Sequence, residues 1–572
     1  MTVESKNFIS IDHKKYLFKE GESVLQVAIR NKVDIPHFCY HEDLKVEASC
    51  RVCLVEIVKT GEIVTSCSLK AEPGLEVVTD SDKVQILRTE NLELLLADHQ
   101  KKCPRCQEDH FCKTAELMKK YGITGKKYKK RILNKPKFKM ATAAECDPEA
   151  CIKCNQCVKI CEYIGVNFLR LEGKASATRI SYSKDEGVDC IYCGQCTVHC
   201  PVNAVREQSH LEQVEAALAD PDKIVIAQMA PSVRASIGEE FGQELGKNLA
   251  KQMYTAFRKL GFDKIFDVNM GADITTVVEA EELVERIKHN GTLPMFTSCC
   301  PGWVKFLEFY YPDMIPHLTT ARSPQIHSGG AYKTWWAKKE GVDPKKIVVV
   351  SFMPCTSKKY EARHEKLKIN GLFPVDYVLT TREAAVLLKK NKIDLANLEA
   401  SEVDKAGTFS GAAAIYGASG GVMESALRTA AHLLAGDEFK KIDFEEVRGM
   451  EGIKRATVQI GDKTLKVAVV AMAKNARIIL EEIKKKPQAY DYVEFMACPG
   501  GCIGGGGQPI PSTLAIIQQR INGLYAIDKK MTLRKAHENP VVKEFFDYVK
   551  KLPENEQAAI LHTSYSIKKK FE

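Results

Sequence analysis

Residues 151–161 read CIKCNQCVKIC, and residues 190–201 read CIYCGQCTVHCP. Each contains Cys-x2-Cys-x2-Cys-x3-Cys, so the stretch 146–206 holds a duplicated thiol ladder. Three closely spaced thiolates on one loop reach three corners of an iron-sulfur cubane, while the fourth, on the helix that follows, points to the cluster of the other repeat. The spacing assigns Cys151, Cys154, Cys157 and Cys200 to one [4Fe-4S] cluster and Cys190, Cys193, Cys196 and Cys161 to a second. A zinc ribbon needs only two cysteine pairs and leaves half of these thiols without a purpose.

Outward from this core, cysteine is the compositional outlier, with 21 in 572 residues. A disulfide framework is opposed by repeated metal-type gaps and by a chain long enough to need no staples. The opening MTVESKNFISIDHKKYLF has no apolar stretch of the kind an export signal needs, and no run approaches a membrane span, so a cytoplasmic chain without a membrane anchor is expected. Hydrophobic residues at 45% and charged residues at 27% describe globular protein. At roughly 150 residues per domain the length implies about four domains. Lys and Arg exceed Asp and Glu by 83 to 74, a net +9. Cluster thiolates contribute about −2 per four-thiolate site, so the basic excess implies no nucleic acid partner.

Upstream, FISIDHKKYLF alternates around a turn, ESVLQVAIRNK has helical spacing, and RVCLVEIV followed by TGEIVTSC reads as a second hairpin, which together predict a ubiquitin-like β-grasp. Within it Cys39-x10-Cys50-x2-Cys53-x13-Cys67 resembles a plant-type [2Fe-2S] loop with a longer first gap. An amphipathic helix is predicted over 81–98, ending at His99, before Cys103, Cys106 and Cys112. Three thiols lack a fourth ligand, and an imidazole supplies it, so His99 is either that ligand of a further [4Fe-4S] cluster or a helix cap. The basic stretch 119–139 is a linker, a solvated face or a docking patch. The Cys-x2-Cys-x2-Cys-x3-Cys-Pro ending at Pro201 resembles bacterial ferredoxins, from which Glu162 after Cys161 departs.

Beyond Pro221 the texture changes. KIVIAQMAP, KIFDVN, PMFTSCC, KKIVVVSFMPC, LKVAVVAM and DYVEFMAC each precede a helical stretch, as in a parallel sheet covered on both faces. Three of these strands end in cysteines, and strand carboxyl ends are where α/β folds place their chemistry. The motifs are FTSCCPGW with Cys299 and Cys300, FMPCTSKKYE with Cys355, and EFMACPGGCIGGGGQP with Cys498 and Cys502. Glycines in the last one suit close approach of backbone to a bulky cofactor.

These three segments resemble the signature motifs of the [FeFe]-hydrogenases, and with the N-terminal clusters the resemblance extends over nearly the whole chain, to the monomeric clostridial type. The resemblance implies that Cys300, Cys355, Cys498 and Cys502 hold a [4Fe-4S] cubane, and that Cys502 bridges to a di-iron subsite carrying carbonyl, cyanide and an azadithiolate, the whole being the H-cluster. It makes Lys358 the donor to a cyanide ligand, Met353 and Met496 apolar packing, and Pro231, Ser232, Ser323 and Gln325 the lining of the pocket. It makes Cys299 a proton relay continued by Glu279, Glu282 and a hydroxyl, Thr319, where related sequences commonly show serine. Glu279 and Glu282, at i and i+3 of one helix, share a face, with Arg286 one turn on. Cys146 is left as a structural or spare thiol.

The resulting expectation is an α+β multidomain chain: a β-grasp [2Fe-2S] domain (1–80), a small [4Fe-4S] domain with one histidine and three cysteine ligands (81–125), a bacterial-ferredoxin-like 2[4Fe-4S] domain (126–210) and a large α/β active-site domain (211–572). The implied reaction is the reversible H2 = 2 H+ + 2 e-, with ferredoxin or flavodoxin as electron partner. Two other classes compete. An electron-conducting subunit lacks FTSCCPGW and FMPCTSKKYE, and an iron-sulfur assembly factor or hydrogen sensor typically loses the Cys299-type thiol; this chain has both features. No dinucleotide-binding or flavin motif is present.

Overall fold

The computed structural model describes residues 7–97, 113–124, 127–128, 137–174, 178–436 and 441–572. His99, Cys103, Cys106 and Cys112 lie outside the described residues.

The N-terminal unit is a five-stranded mixed sheet. Phe8–Ile11 pairs antiparallel with Lys14–Leu17 across Asp12 and His13, at φ 48° and 65°, the left-handed pair that a two-residue hairpin turn demands. Leu54–Ile57 pairs antiparallel with Ile63–Thr65, and Glu76–Val78 returns parallel to the first strand. Helix Val24–Arg30 starts at a reciprocal cap between Ser23 and Gln26 and buries Val24, Leu25, Val27 and Ala28. Burial is worth about 1.5–3 kcal/mol for each Val or Leu side chain, and it holds the helix across the sheet as the β-grasp pattern requires. Cys39, Cys50, Cys53 and Cys67 are all buried.

Ser81 caps helix Asp82–Leu96, which ties itself to the cysteine loop through Arg88. That buried guanidinium donates to the carbonyls of Val52, Leu54 and Thr79 at 3.0, 2.6 and 3.0 Å. Phe38, Cys39, Cys50 and Leu92 then share one apolar cluster with Ala150, Ile152 and Cys154, so the [2Fe-2S] loop rests directly on the first thiol ladder.

In the duplicated unit the repeats agree at the level of backbone. Lys153 and Asn155 stand at φ 60° and 67°, and their counterparts Tyr192 and Gly194 at 59° and 71°. Alternation of right- and left-handed residues turns successive amide N–H groups to one side, a concavity that favours anionic sulfur. Holding a lysine and a tyrosine there costs about 1–2 kcal/mol each. The helices that follow differ: Gln156–Ile164 runs nine residues, Gln195–Val198 only four.

The remainder is built on two four-stranded sheets. One has the order Lys264–Asp267, Ile224–Met229, Ile347–Met353, Tyr377–Thr380, all parallel. The other has Met295–Phe296, Tyr492–Met496, Lys463–Ala471, Ile453–Ile460, parallel except for the last, antiparallel edge strand. The six expected strands are present but divided between two sheets, and Tyr377–Thr380 and Ile453–Ile460 join them. The long helix Val268–Lys288, buried over most of its first four turns, follows the edge strand of the first sheet. Helices Leu514–Lys530, Pro540–Val549 and Glu554–Leu561 complete the core, and the tail runs back to the duplicated unit, where Lys570 Nζ donates to the carbonyls of Ser183 and Asp185 at 3.0 and 2.7 Å. Among the described residues no helix is long and apolar enough to cross a membrane.

Candidate active site and metal centres

The carboxyl ends of both sheets open on one cavity. The first sheet brings Pro231 and Ser232 after its strand Ile224–Met229, and Cys355 and Lys358 after Ile347–Met353; the second brings Cys299 and Cys300 after Met295–Phe296, and Cys498 and Cys502 after Tyr492–Met496. Gln325, Met353 and Met496 line the same space. Ser323, the N-cap of helix Pro324–Ala331, borders the neighbouring cavity with Ser298, Glu308 and Tyr360 and keeps a buried Oγ without a hydrogen-bond partner, while the next two residues, Pro324 and Gln325, line the thiol cavity.

Burial pushes the four thiols Cys300, Cys355, Cys498 and Cys502 upward, Cys355 to about 11. Thiols in this state ionise only when positive charge arrives with the metal, which couples cluster binding to proton release. The four cysteines border one volume, as ligands of a cluster do. Polar atoms without protein partners point to the same occupancy: the buried Ser232 Oγ and Gln325 Oε1, both on cavity residues, have no hydrogen-bond partner. Buried polar groups are rarely left so, and a cofactor with polar ligands fits them.

Lys358 is the fixed cation of the cavity. Its Nζ donates to Cys299 O at 2.9 Å and to Glu361 Oε2 at 2.9 Å, and the nearby carboxylate and thiols outweigh burial to hold its ammonium above its usual range. Gln325 Nε2 donates to the same Glu361 oxygen at 2.6 Å. Glu361 thus aims both groups. Sequence reasoning missed it, because an acidic residue one helical turn after a lysine is ordinary surface pattern.

Cys299, beside the ligands, is buried and its thiol is held far up, by burial and then by Glu279. Glu279 is fully buried, accepts from Tyr492 OH at 2.8 Å through Oε1, and leaves Oε2 without a partner. Burial raises its carboxyl to about 8. Glu282 accepts from Thr319 Oγ1 at 2.7 Å and pairs with Arg286 at 2.5 Å.

The ladder thiols fall into two neighbourhoods. Cys157 is raised, after burial, by Cys200, Cys154 and Cys151; Cys190 by Cys193 and then Cys161. Cys161, Cys190, Cys193 and Cys196 line one cavity of about 420 Å³. Backbone amides cap several sulfurs, as Phe168 N does for Cys161 at 3.2 Å and Val205 N for Cys200 at 3.4 Å. Cys146 is buried in a strand near Cys151 and Cys200. Cys193 in turn neighbours Cys355 and Cys300, which sets the second ladder against the thiols of the cavity.

The glycine-rich loop serves that junction. A Cβ on Gly506 would meet Gly194 C at 2.3 Å, and Thr197 Oγ1 and Gln195 Nε2 donate to the carbonyls of Gly506 and Gly504, both at 2.7 Å. At Gly506 the close approach is therefore to the backbone of the second ladder, whereas Gly501 and Gly505 of the same loop line the thiol cavity.

Comparison with known proteins agrees with this anatomy. Residues 223–506 match the model for the iron only hydrogenase large subunit, C-terminal domain, and 514–568 that for the iron hydrogenase small subunit. Residues 8–82 match a 2Fe-2S iron-sulfur cluster binding domain and 150–204 a 4Fe-4S dicluster domain. Iron hydrogenase 1 of Clostridium pasteurianum is 40% identical over 97% of this chain and 99% of its own. Cytosolic iron-sulfur assembly component 3 of Mus musculus is 30% identical over 66% of this chain and 83% of its own. The solved apo [FeFe]-hydrogenase of Chlamydomonas reinhardtii, a single-residue variant, covers 63% of this chain and 99% of its own at 37% identity and a TM-score of 0.56.

Proposed function

The chain belongs to the iron-only hydrogenase family, and from that premise we propose how its residues divide the work of the reversible reaction H2 = 2 H+ + 2 e-. The observation that carries the reading is the convergence of Cys300, Cys355, Cys498 and Cys502 from two sheets on one cavity that also holds Cys299 and Lys358. Those four cysteines would hold the cubane of the H-cluster, Cys502 being the one on the side of a di-iron subsite with carbonyl, cyanide and azadithiolate ligands; this group would supply the open iron and the basic amine of the reaction when bound.

The protein's own groups do the rest. Lys358, fixed by Glu361, would hold a cyanide ligand of that group as a cation that needs no reorganisation. Met353 and Met496 keep that side of the cavity apolar. Protons move along Glu282, Thr319, Glu279 and Cys299 toward the cavity in hydrogen evolution, and the same groups run in reverse in oxidation. Glu279 suits the task because burial brings it to about 8, close to working pH, so it gives and takes a proton with little driving force wasted. Threonine at 319 retains the donor and acceptor of a hydroxyl relay with a stiffer rotamer.

Electrons arrive through one [2Fe-2S] and three [4Fe-4S] clusters, one of them held by His99, Cys103, Cys106 and Cys112, with the Cys190 set as the last before the active site. The four units 1–80, 81–125, 126–210 and 211–572 act as a monomer in the cytoplasm, with ferredoxin or flavodoxin as carrier. Infrared spectroscopy of the matured protein tests the assignment of the site. Carbonyl and cyanide stretching bands are expected; a fully metallated protein without them overturns it.

A further inference from the structure

The relay above stops at Glu282, and the structure offers two ways outward from it. Arg286 is one, but its donors are committed: Nη2 to Glu282 Oε1 and Leu318 O at 2.5 and 2.8 Å, Nη1 to Thr292 O and His317 O at 3.0 and 3.2 Å. A guanidinium does not release its proton in a protein, so Arg286 orients Glu282 without passing a proton to it.

The other way runs through Thr320. Its N and Oγ1 both donate to Glu282 Oε2, at 2.9 and 3.0 Å, and His562 Nδ1 stands 2.9 Å from the same Oγ1. The hydroxyl has one proton, and Glu282 takes it, so at this oxygen Nδ1 is the donor. His562 belongs to the C-terminal tail, and several bonds fix it there. Ala321 and His562 form an antiparallel bridge, Thr563 N donates to Thr320 O at 2.8 Å, Arg322 Nε donates to His562 O at 2.8 Å, and Tyr565 OH donates to Thr319 O at 3.1 Å. The imidazole is half-buried, and the charged or titratable groups around it are Glu282, Arg322 and His327.

We propose that His562 is the outer proton-exchanging group of the relay, feeding Glu282 through the Thr320 hydroxyl. The proposal rests on the relay assigned above and extends it to solvent. His562 as imidazolium releases its Nδ1 proton to Thr320 Oγ1 while that hydroxyl releases its own proton to Glu282 Oε2. One N–H and one O–H bond break and two O–H bonds form; the neutral imidazole, still protonated at Nε2, turns its bare Nδ1 toward water, takes a proton there and turns back. Histidine exchanges protons near neutral pH; here burial pushes the imidazole below its ordinary range, and the Glu282 carboxylate opposes that shift. His562 acts through Glu282 and touches no reacting atom, so it is a positioning residue for protons, contributed by the segment that matches the small-subunit family.

The test compares His562→Ala, Thr320→Val and Glu282→Gln in the matured holoenzyme, with the infrared bands of the active site as a check on integrity. Loss of an acid-base group costs 10²–10⁴, and an outer group that water partly replaces is expected to cost less, on the order of tenfold. H562A should regain turnover when free imidazole is added, and T320V, whose imidazole is intact but cut off, should not. In hydrogen-minus-argon difference spectra the carboxyl C=O change of Glu282, identified by its loss in E282Q, should be weakened in both outer variants. Wild-type turnover in H562A beside an impaired E282Q overturns the role of His562 and leaves the relay standing. A loss in H562A that imidazole does not restore, with the carboxyl band unchanged, also overturns it, since the tail is then merely structural. Wild-type turnover in E282Q removes the relay itself and His562 with it.

Discussion

Residues 146–206 and residues 223–506 gather thiols by opposite means. In the duplicated unit three cysteines of each set lie within seven residues, and a short loop with two left-handed turns aims them; only Cys161 and Cys200 come from outside their own loop. In the catalytic domain Cys300, Cys355, Cys498 and Cys502 lie up to 202 residues apart and meet because two separate sheets point their carboxyl ends at one cavity. A local ladder needs little more than its own backbone, whereas the convergent site needs both sheets packed and in register. The two arrangements should therefore fail differently.

The largest effect separates them outright. Cys498→Ala should abolish hydrogen turnover while the N-terminal clusters stay visible by electron paramagnetic resonance; simultaneous loss of the ladder clusters would show that the two regions are not independent. Next comes Cys299→Ala, expected to lower turnover by at least about 10² with the infrared bands of the site unchanged. Aspartate at that position, which also carries a proton, should restore part of the loss, and serine should not. Near-wild-type turnover in the alanine variant would remove Cys299, and with it the order of the relay, from the convergent site's account.

A smaller effect probes the seam between the regions. Gly506→Ala places a methyl against the backbone of Gly194, and overpacking of this kind costs about 1–3 kcal/mol. The thermal midpoint of the protein should fall, and the rate of electron delivery from the ladder clusters to the active site should fall with it. An unchanged midpoint would mean that the junction is looser than the contacts imply.

The last effect is on stability alone, a slope with pH. Glu279 ionises at about 4.5 when unfolded and about 8 when folded, so between these values the folded protein binds the extra proton and its stability falls as pH rises. The contribution is fully present below about 4.5 and lost as pH passes about 8. Replacing Glu279 by glutamine should flatten the unfolding midpoint across that window; an equally steep dependence in the variant would place the titration elsewhere.

Much of this was legible before folding. The pairing of Cys151, Cys154, Cys157 with Cys200, the β-grasp hairpins and the helix starting at Ser81 follow from spacing, alternation and a cap, because each depends on neighbours within a few residues. Other features were not. Which side of the helix end at Ser323 faces the thiols is decided by packing alone, since Ser323 borders one cavity and its successors Pro324 and Gln325 line another. Glu361, Thr320 and His562 carry no motif at all.

By itself the sequence determined that the ladder thiols lie together, because three cysteines on a seven-residue loop stay close almost wherever the loop is placed, and it determined the strands of the catalytic domain. Tertiary structure alone decided that six strands divide between two sheets, that Gly506 lies on Gly194, that Glu361 aims Lys358, and that the tail brings His562 to Thr320. His562 and Thr320 are separated by 242 residues. No local propensity encodes such a pair, since the free energy that brings it together comes from apolar surface buried across whole sheets and helices, and that term depends on area removed from water and not on sequence distance.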